Sequence, residues 1–80
     1  MHTVYLIRSL PHPDQHCIGL TGNLEKRLQK HNESGSPYTS KYKPWELVTY
    51  LSFSSPNRAA AFEKFLKSGS GRAFARKRLW

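Results

Sequence analysis

Glu63 stands where a carboxylate needs a reason. Ala59, Phe62 and Leu66 recur at helical spacing and define an apolar stripe, and Glu63, one turn beyond Ala59, falls inside it. Burying a carboxylate is costly unless a cation, a hydrogen-bond donor or a metal ion satisfies it. Glu63 is therefore a candidate ligand, with a rim glutamate paired to a structural arginine as the plain alternative. A second polar pair occupies a similar position. Between residues 24 and 32, Leu24 and Leu28 mark the inner side of a helix, and Arg27 and His31 lie along that side. Arginine presents a planar fork of donors suited to phosphate, and histidine moves a proton near neutral pH. An exposed arginine and a satisfied structural histidine are the alternative. His2, His12 and His16 have no ligand-like spacing with one another and read as surface residues.

The remaining chemistry is cationic. Lys41 and Lys43 interleave with Tyr38, Tyr42 and Trp45, the composition of a surface that tracks a phosphate backbone and stacks on bases. Those aromatic rings are equally suited to covering a small sheet. Lys67, Arg72, Arg76, Lys77 and Arg78 form a second basic cluster that contains no acid. With 13 Lys and Arg against 5 Asp and Glu, the formal charge is +8 and the pI about 10.1, which favours a polyanionic partner. Nucleic acid and an anionic membrane surface both fit. The longest apolar run, Val4 to Ile7, is far short of a membrane span, and the start of the chain lacks a leader pattern. A cytoplasmic protein is expected. The single cysteine, Cys17, excludes an internal disulfide and a cysteine-based zinc site.

Short elements must position these groups. At 80 residues the chain is expected to be one domain, near the lower size limit for an unaided core. Residues 3 to 8 are β-branched, aromatic and apolar, which predicts a strand covered on both faces. Pro11, Pro13 and Asp14 mark a turn before a second strand over His16 to Gly19. Thr21 or Asn23 caps a helix running to about Asn32, and a loop reaches from there to Pro44. A third strand spans 46 to 53, with Leu47, Thr49, Leu51 and Phe53 on one face. Ser55 and Pro56 start a helix that runs to Ser68 and stops at Gly69. Residues 72 to 80 are helical, with Phe74 turned to the core.

The order of these motifs resembles a known family. Thr3-Val4-Tyr5 is followed after eleven residues by Cys17-Ile18-Gly19, and the run from Gly19 to Asn32 contains Thr21, Leu24, Arg27, Leu28, His31 and Asn32 in a G-x-T-x-x-L-x-x-R-L-x-x-H-N pattern. With Ala61 to Lys67, the chain resembles the GIY-YIG nuclease superfamily, most closely its small standalone members. The resemblance implies an α/β (α+β) fold, a three-stranded antiparallel sheet flanked by helices. It also implies metal-dependent hydrolysis of DNA phosphodiesters, with a role in DNA repair or recombination. Residue by residue, Tyr5 matches the first motif tyrosine, Arg27 the arginine, His31 the histidine and Glu63 the metal-binding glutamate.

Two positions depart from the family pattern. Cys17 stands where the second motif tyrosine is expected, and twelve residues on from Glu63, where an asparagine is expected, stands Ala75. The implied catalytic set is Tyr5, Cys17, Arg27, His31 and Glu63, with Glu63 holding one Mg²⁺ or Mn²⁺ ion. Lys41, Tyr42, Lys43 and Arg72 are the expected nucleic-acid contacts, on structured or branched DNA or on RNA. Tyr38 and Tyr42 are loop hydroxyls that offer a substitute for the missing one. Two rival readings stand beside the nuclease. One is a nucleic-acid-binding module whose turnover Cys17 has removed; the other is a basic domain that joins a protein complex.

Overall fold

The computed structural model describes residues 1–33 and 40–80. Strands β1 (His2–Ser9), β2 (His16–Thr21) and β3 (Trp45–Phe53) form one antiparallel sheet in the order β2-β1-β3. Helix α1 (Leu24–Glu33) follows β2, and α2 (Pro56–Leu66) and α3 (Gly69–Arg78) follow β3. Three helices on a three-stranded sheet make an α+β fold among the described residues. Tyr38 lies outside them.

β1 occupies the centre because it is apolar on both faces. Val4 and Leu6 point to one side, where Ala59, Leu66 and Ala75 complete a buried cluster with Ile18, Phe53 and Phe62 against it. Tyr5 and Ile7 point to the other, packed with Trp45, Leu24, Leu28, Leu47 and Tyr42. The expected single face of β3 is divided. Leu6 pairs with Thr49 but Ile7 pairs with Leu47, so Val48 is an extra residue on β3. This bulge puts Leu47 on the Tyr5 side and leaves Thr49, Leu51 and Phe53 on the Val4 side, because one inserted residue inverts a period-two pattern. β2 also runs two residues beyond the expected strand, to Thr21.

The helical end of the chain departs furthest from expectation. Gly69 does not simply stop a helix. α2 ends at Leu66, and Ser68 then caps α3, its Oγ accepting from the Gly71 N–H at 3.1 Å, so Gly69 opens the next helix. The backbone at Gly71 lies so close to the Phe65 carbonyl that a Cβ there would overlap it. Phe74 is not turned to the core; it is exposed and lies against Phe65, while Gly71 and Ala75 form the buried side of α3. Ser40 and Lys41 have helical backbone, which narrows the expected loop before the cis Lys43–Pro44 bond. Among the described residues, no helix is long and apolar enough to cross a membrane.

Candidate active site

Tyr5 is the centre of the arrangement. It is 2% exposed, and its ring crosses Gly19, the residue opposite it on β2. A Cβ at position 19 would stand inside the phenol, so only glycine lets the hydroxyl extend over β2 to meet α1. There Tyr5 Oη lies 2.9 Å from His31 Nε2 and accepts a hydrogen bond from Arg27 Nε at 3.3 Å.

Local sequence fixes α1 at both ends. Asn23 Oδ1 accepts from the Lys26 N–H at 3.1 Å, an N-cap that sets the first turn. Asn32 grips β3 at the other end: its Oδ1 accepts from the Trp45 N–H, and its Nδ2 donates to the Trp45 carbonyl at 3.4 Å. Between these anchors, Arg27 and His31 are separated by one helical turn and both reach the same phenol. His31 is buried, whereas Arg27 keeps much of its side chain in solvent.

The electrostatics give this chain of contacts a direction. Burial raises the Tyr5 phenol above its ordinary pKa against the opposing pull of Arg27, so the phenol is protonated at neutral pH. Burial lowers His31, and the nearby charges of Arg27 and Lys30 lower it further, so its imidazole is neutral there. The phenol oxygen accepts from Arg27 and keeps its own proton, so His31 Nε2 accepts that proton in one imidazole tautomer and donates to the phenol oxygen in the other. In the first tautomer the imidazole proton is on Nδ1, a buried atom with no hydrogen-bond partner among the described residues. Cys17, half-buried and opposite Ile7, is raised mainly by burial, with the positive charges of Lys67 and Arg27 acting in the opposite sense. It is a neutral thiol at neutral pH.

Glu63 pairs with a lysine, not with the structural arginine of the plain alternative. Its Oε2 pairs with Lys67 Nζ at 3.1 Å, one turn further along α2, and its side chain is 24% exposed. Lys67 in turn lies near enough to act electrostatically on both Tyr5 and Cys17. The α2 residues thus approach the β2 edge from one side of the sheet, and Arg27 and His31 approach from the other. No group of three or more His, Cys, Asp or Glu side chains gathers among the described residues. A lone carboxylate fits a small hard cation that keeps most of its water and shares phosphate oxygens, not an ion caged entirely by protein.

The basic residues fall into separate places. Tyr42 packs beside Trp45 and edge-on to His12, with Lys41 Nζ 5.5 Å from its ring centroid, and Lys43 is exposed. Arg72 instead lies on α3 beside Lys67 and Arg76. Three residues important to the site carried no assigned role in the sequence. Gly19 becomes legible only once its register against Tyr5 is known. Asn32 requires knowledge of β3, but Lys67 could have been found from its i,i+4 spacing to Glu63.

Residues 1–77 match the profile of the GIY-YIG catalytic domain. The chain belongs to the GIY-YIG family. It is 39% identical over 71 residues to the "Structure-specific endonuclease subunit SLX1" of Debaryomyces hansenii, an alignment that covers 80% of this chain and 20% of that protein. It is 36% identical over 67 residues to the protein of the same name from Malassezia globosa, covering 79% of this chain and 15% of that protein. The chain therefore spans a fifth or less of the length of these relatives. Within this GIY-YIG domain, the cluster joins Tyr5 of the first motif to Arg27 and His31 of the Gly19–Asn32 run.

Proposed function

We propose that this GIY-YIG domain hydrolyses phosphodiester bonds in DNA, acting at branched or otherwise structured sites. The observation that carries the reading is the hydrogen-bonded series Arg27, Tyr5, His31, which ends on a neutral imidazole and lies within the influence of the Lys67 charge. Such a series suits the removal of a proton from water beside a phosphate. The two relatives carry the name of structure-specific endonuclease subunits, which supports internal cleavage of a structured nucleic acid.

In this mechanism Arg27 holds a nonbridging phosphate oxygen with the part of its guanidinium that Tyr5 leaves unused. A water molecule attacks phosphorus and passes its proton to Tyr5 Oη as the phenol passes its own to His31 Nε2. The phosphorus–oxygen ester bond breaks, and the departing alkoxide takes a proton from solvent. Tyr5 carries no net charge through the step, which suits a phenol whose ionisation burial opposes. Cys17 stays protonated and borders the site. Glu63 would hold one Mg²⁺ or Mn²⁺ ion, which when bound neutralises charge on the phosphate and the leaving oxygen. Lys41, Tyr42, Lys43 and Arg72 would contact the nucleic-acid backbone.

A second reading, a binding module with little turnover, is favoured by the neutral thiol at Cys17. Incubation of the purified chain with labelled linear, supercoiled and branched DNA, in Mg²⁺, Mn²⁺ or chelator, separates the two. Metal-dependent cleavage that disappears in Glu63→Gln supports the nuclease. Binding without cleavage on any substrate, in either metal, rejects it in favour of the binding module.

A further inference from the structure

A cavity of about 500 Å³ adjoins the candidate site and has no part in the proposed proton transfer. Its position follows from the fold: β2 is an edge strand, α2 packs on the sheet face beside it, and α3 packs on α2. Cys17 and Lys67 line it; Cys17 lies two residues along β2 from Gly19, which the Tyr5 ring crosses, and Lys67 pairs with Glu63, so the cavity adjoins the candidate site. Its size lies within the range of roughly 300–1,000 Å³ typical of sites for small molecules.

The lining has three chemical parts. Ile18, Leu66 and Ala75 make an apolar floor. Arg72 and Arg76 join Lys67 as cations, and no acid lines the cavity, although Glu63 pairs with Lys67 nearby. Trp80 forms an aromatic wall, its indole stacked on the His16 imidazole with centroids 4.1 Å apart and planes 20° apart. The wall is anchored by backbone: the Trp80 N–H donates to the Ala75 carbonyl at 2.9 Å, and Thr49 Oγ1 donates to the Leu79 carbonyl at 2.8 Å.

An aromatic plane, an apolar floor and a cationic rim together match a nucleotide: a base with a π-face, joined to phosphates. A base inside a duplex has both faces covered by its neighbours, so only an unpaired nucleotide can offer a face to Trp80. We infer that this cavity receives one unpaired nucleotide of the DNA strand beside the cleaved phosphodiester, its base against the Trp80 wall and its phosphates on Arg72 and Arg76. The inference rests on the nuclease reading for the identity of the strand. It deepens that reading by assigning the place, between Trp80, Arg72 and Arg76, where the unpaired strand is held.

The test measures binding of the 80-residue chain in chelator by fluorescence anisotropy, with three probes: a blunt duplex, the same duplex with a single-stranded flap of either polarity, and that flap with an abasic first unpaired position. The wild type is expected to bind the flap more tightly than the blunt duplex. Removing one stacked base is expected to weaken flap binding by about 5- to 150-fold, the range that stacking on an aromatic side chain supports. Trp80→Ala should lose a comparable factor on the intact flap and no more on the abasic one. Because Trp80 also packs against the core, His16→Ala and Arg76→Ala, both at exposed positions, provide variants that keep the fold, checked by circular dichroism. Each should weaken flap binding more than duplex binding. Equal losses on flap and duplex, or an abasic flap bound as tightly as the intact one, would overturn the nucleotide pocket while leaving DNA cleavage standing. A wild type that binds and cuts none of the probes would overturn the nuclease reading and the pocket together.

Discussion

The ring of Tyr5 lies across the backbone of Gly19, its cross-strand partner, in space that any side chain at position 19 would need. This packing lets a core tyrosine on the central strand place its hydroxyl over the edge strand, within reach of α1. The geometry of the candidate site is thus tied to the register of two strands. A one-residue slip would send Tyr5 to the opposite face.

Gly19→Ala is accordingly expected to lower both activity and stability. Overpacking of this kind costs about 1–3 kcal/mol, and in a domain of this size each kcal/mol moves the melting temperature by about 4–8 °C. Cleavage should fall further than stability accounts for, because Tyr5 must move away from His31. Measuring cleavage at a temperature where the variant is fully folded by circular dichroism isolates that second effect. A folded variant with wild-type cleavage would detach Tyr5 from the mechanism.

How much of this was legible in the sequence follows the range of the interactions. The strands, the Asn23 and Ser55 caps and the helical positions of Arg27, His31 and Glu63 depend on local residue pattern, and each can be read from a window of a few residues. The bulge at Val48, the approach of Gly19 to Tyr5 and the grip of Asn32 on Trp45 depend on pairing between distant segments. No local pattern encodes them. The junction at Ser68 is ambiguous in sequence for another reason: Gly69 is as good a stop signal as it is a tolerable first helical residue, and the capping serine before it decides the matter. Phe74 was assigned to the core by its hydrophobicity, but the small residues Gly71 and Ala75 set the close approach of α3 and left the larger side chain outside.

His31 makes the domain sensitive to acid in a defined direction. Its folded pKa lies below the ordinary value of 6.5, so the folded state binds its proton less readily than the unfolded chain does. The stability linked to this group is complete above pH 6.5 and is lost as pH falls through the folded pKa. Cleavage should be flat through pH 7 to 8 and decline on the acid side, below 6.5, because protonated His31 cannot accept from Tyr5. An NMR titration of the imidazole, with pH-rate profiles for wild type and His31→Gln, checks both points. A His31 titration midpoint above 6.5 would reverse the sign and remove the relay.

Asn32→Ala is expected to weaken the attachment of α1 to β3. The change removes both side-chain bonds to the Trp45 backbone, each worth about 0.5–1.5 kcal/mol net. Urea denaturation should show a lowered midpoint with an unchanged slope, as expected when stability falls without a change in the surface exposed on unfolding. Hydrogen exchange should quicken first at the C-terminal end of α1. Faster exchange confined to α2 and α3 would contradict this assignment.

DNA binding in chelator should weaken steeply with salt. The +8 charge and the two basic regions are sufficient to neutralise about four phosphates, which gives a slope of roughly −3.6 in log affinity against log salt concentration. Arg72→Ala and Lys43→Ala should each reduce that slope by about one if each contacts a phosphate. Anisotropy titrations at four or five salt concentrations supply the slopes. A flat response would favour the basic domain that joins a protein complex.

Cys17 gives the decisive comparison between a nuclease and a binding module. Burial raises its thiol above the ordinary range, so at neutral pH it is a poor base, and iodoacetamide should alkylate it slowly with a pH midpoint above that of free cysteine. Cys17→Ala is therefore expected to leave wild-type cleavage nearly unchanged, since in the proposed mechanism the proton leaves through Tyr5 and His31. Cys17→Tyr is expected to raise metal-dependent cleavage, because it returns the phenol expected at this position in the family, and positioned proton transfer contributes about 10²- to 10⁴-fold. Loss of activity in Cys17→Ala would instead make the thiolate the base and contradict the relay. If neither the wild type nor Cys17→Tyr cuts DNA or RNA in Mg²⁺ or Mn²⁺ while both still bind it, the binding module replaces the nuclease.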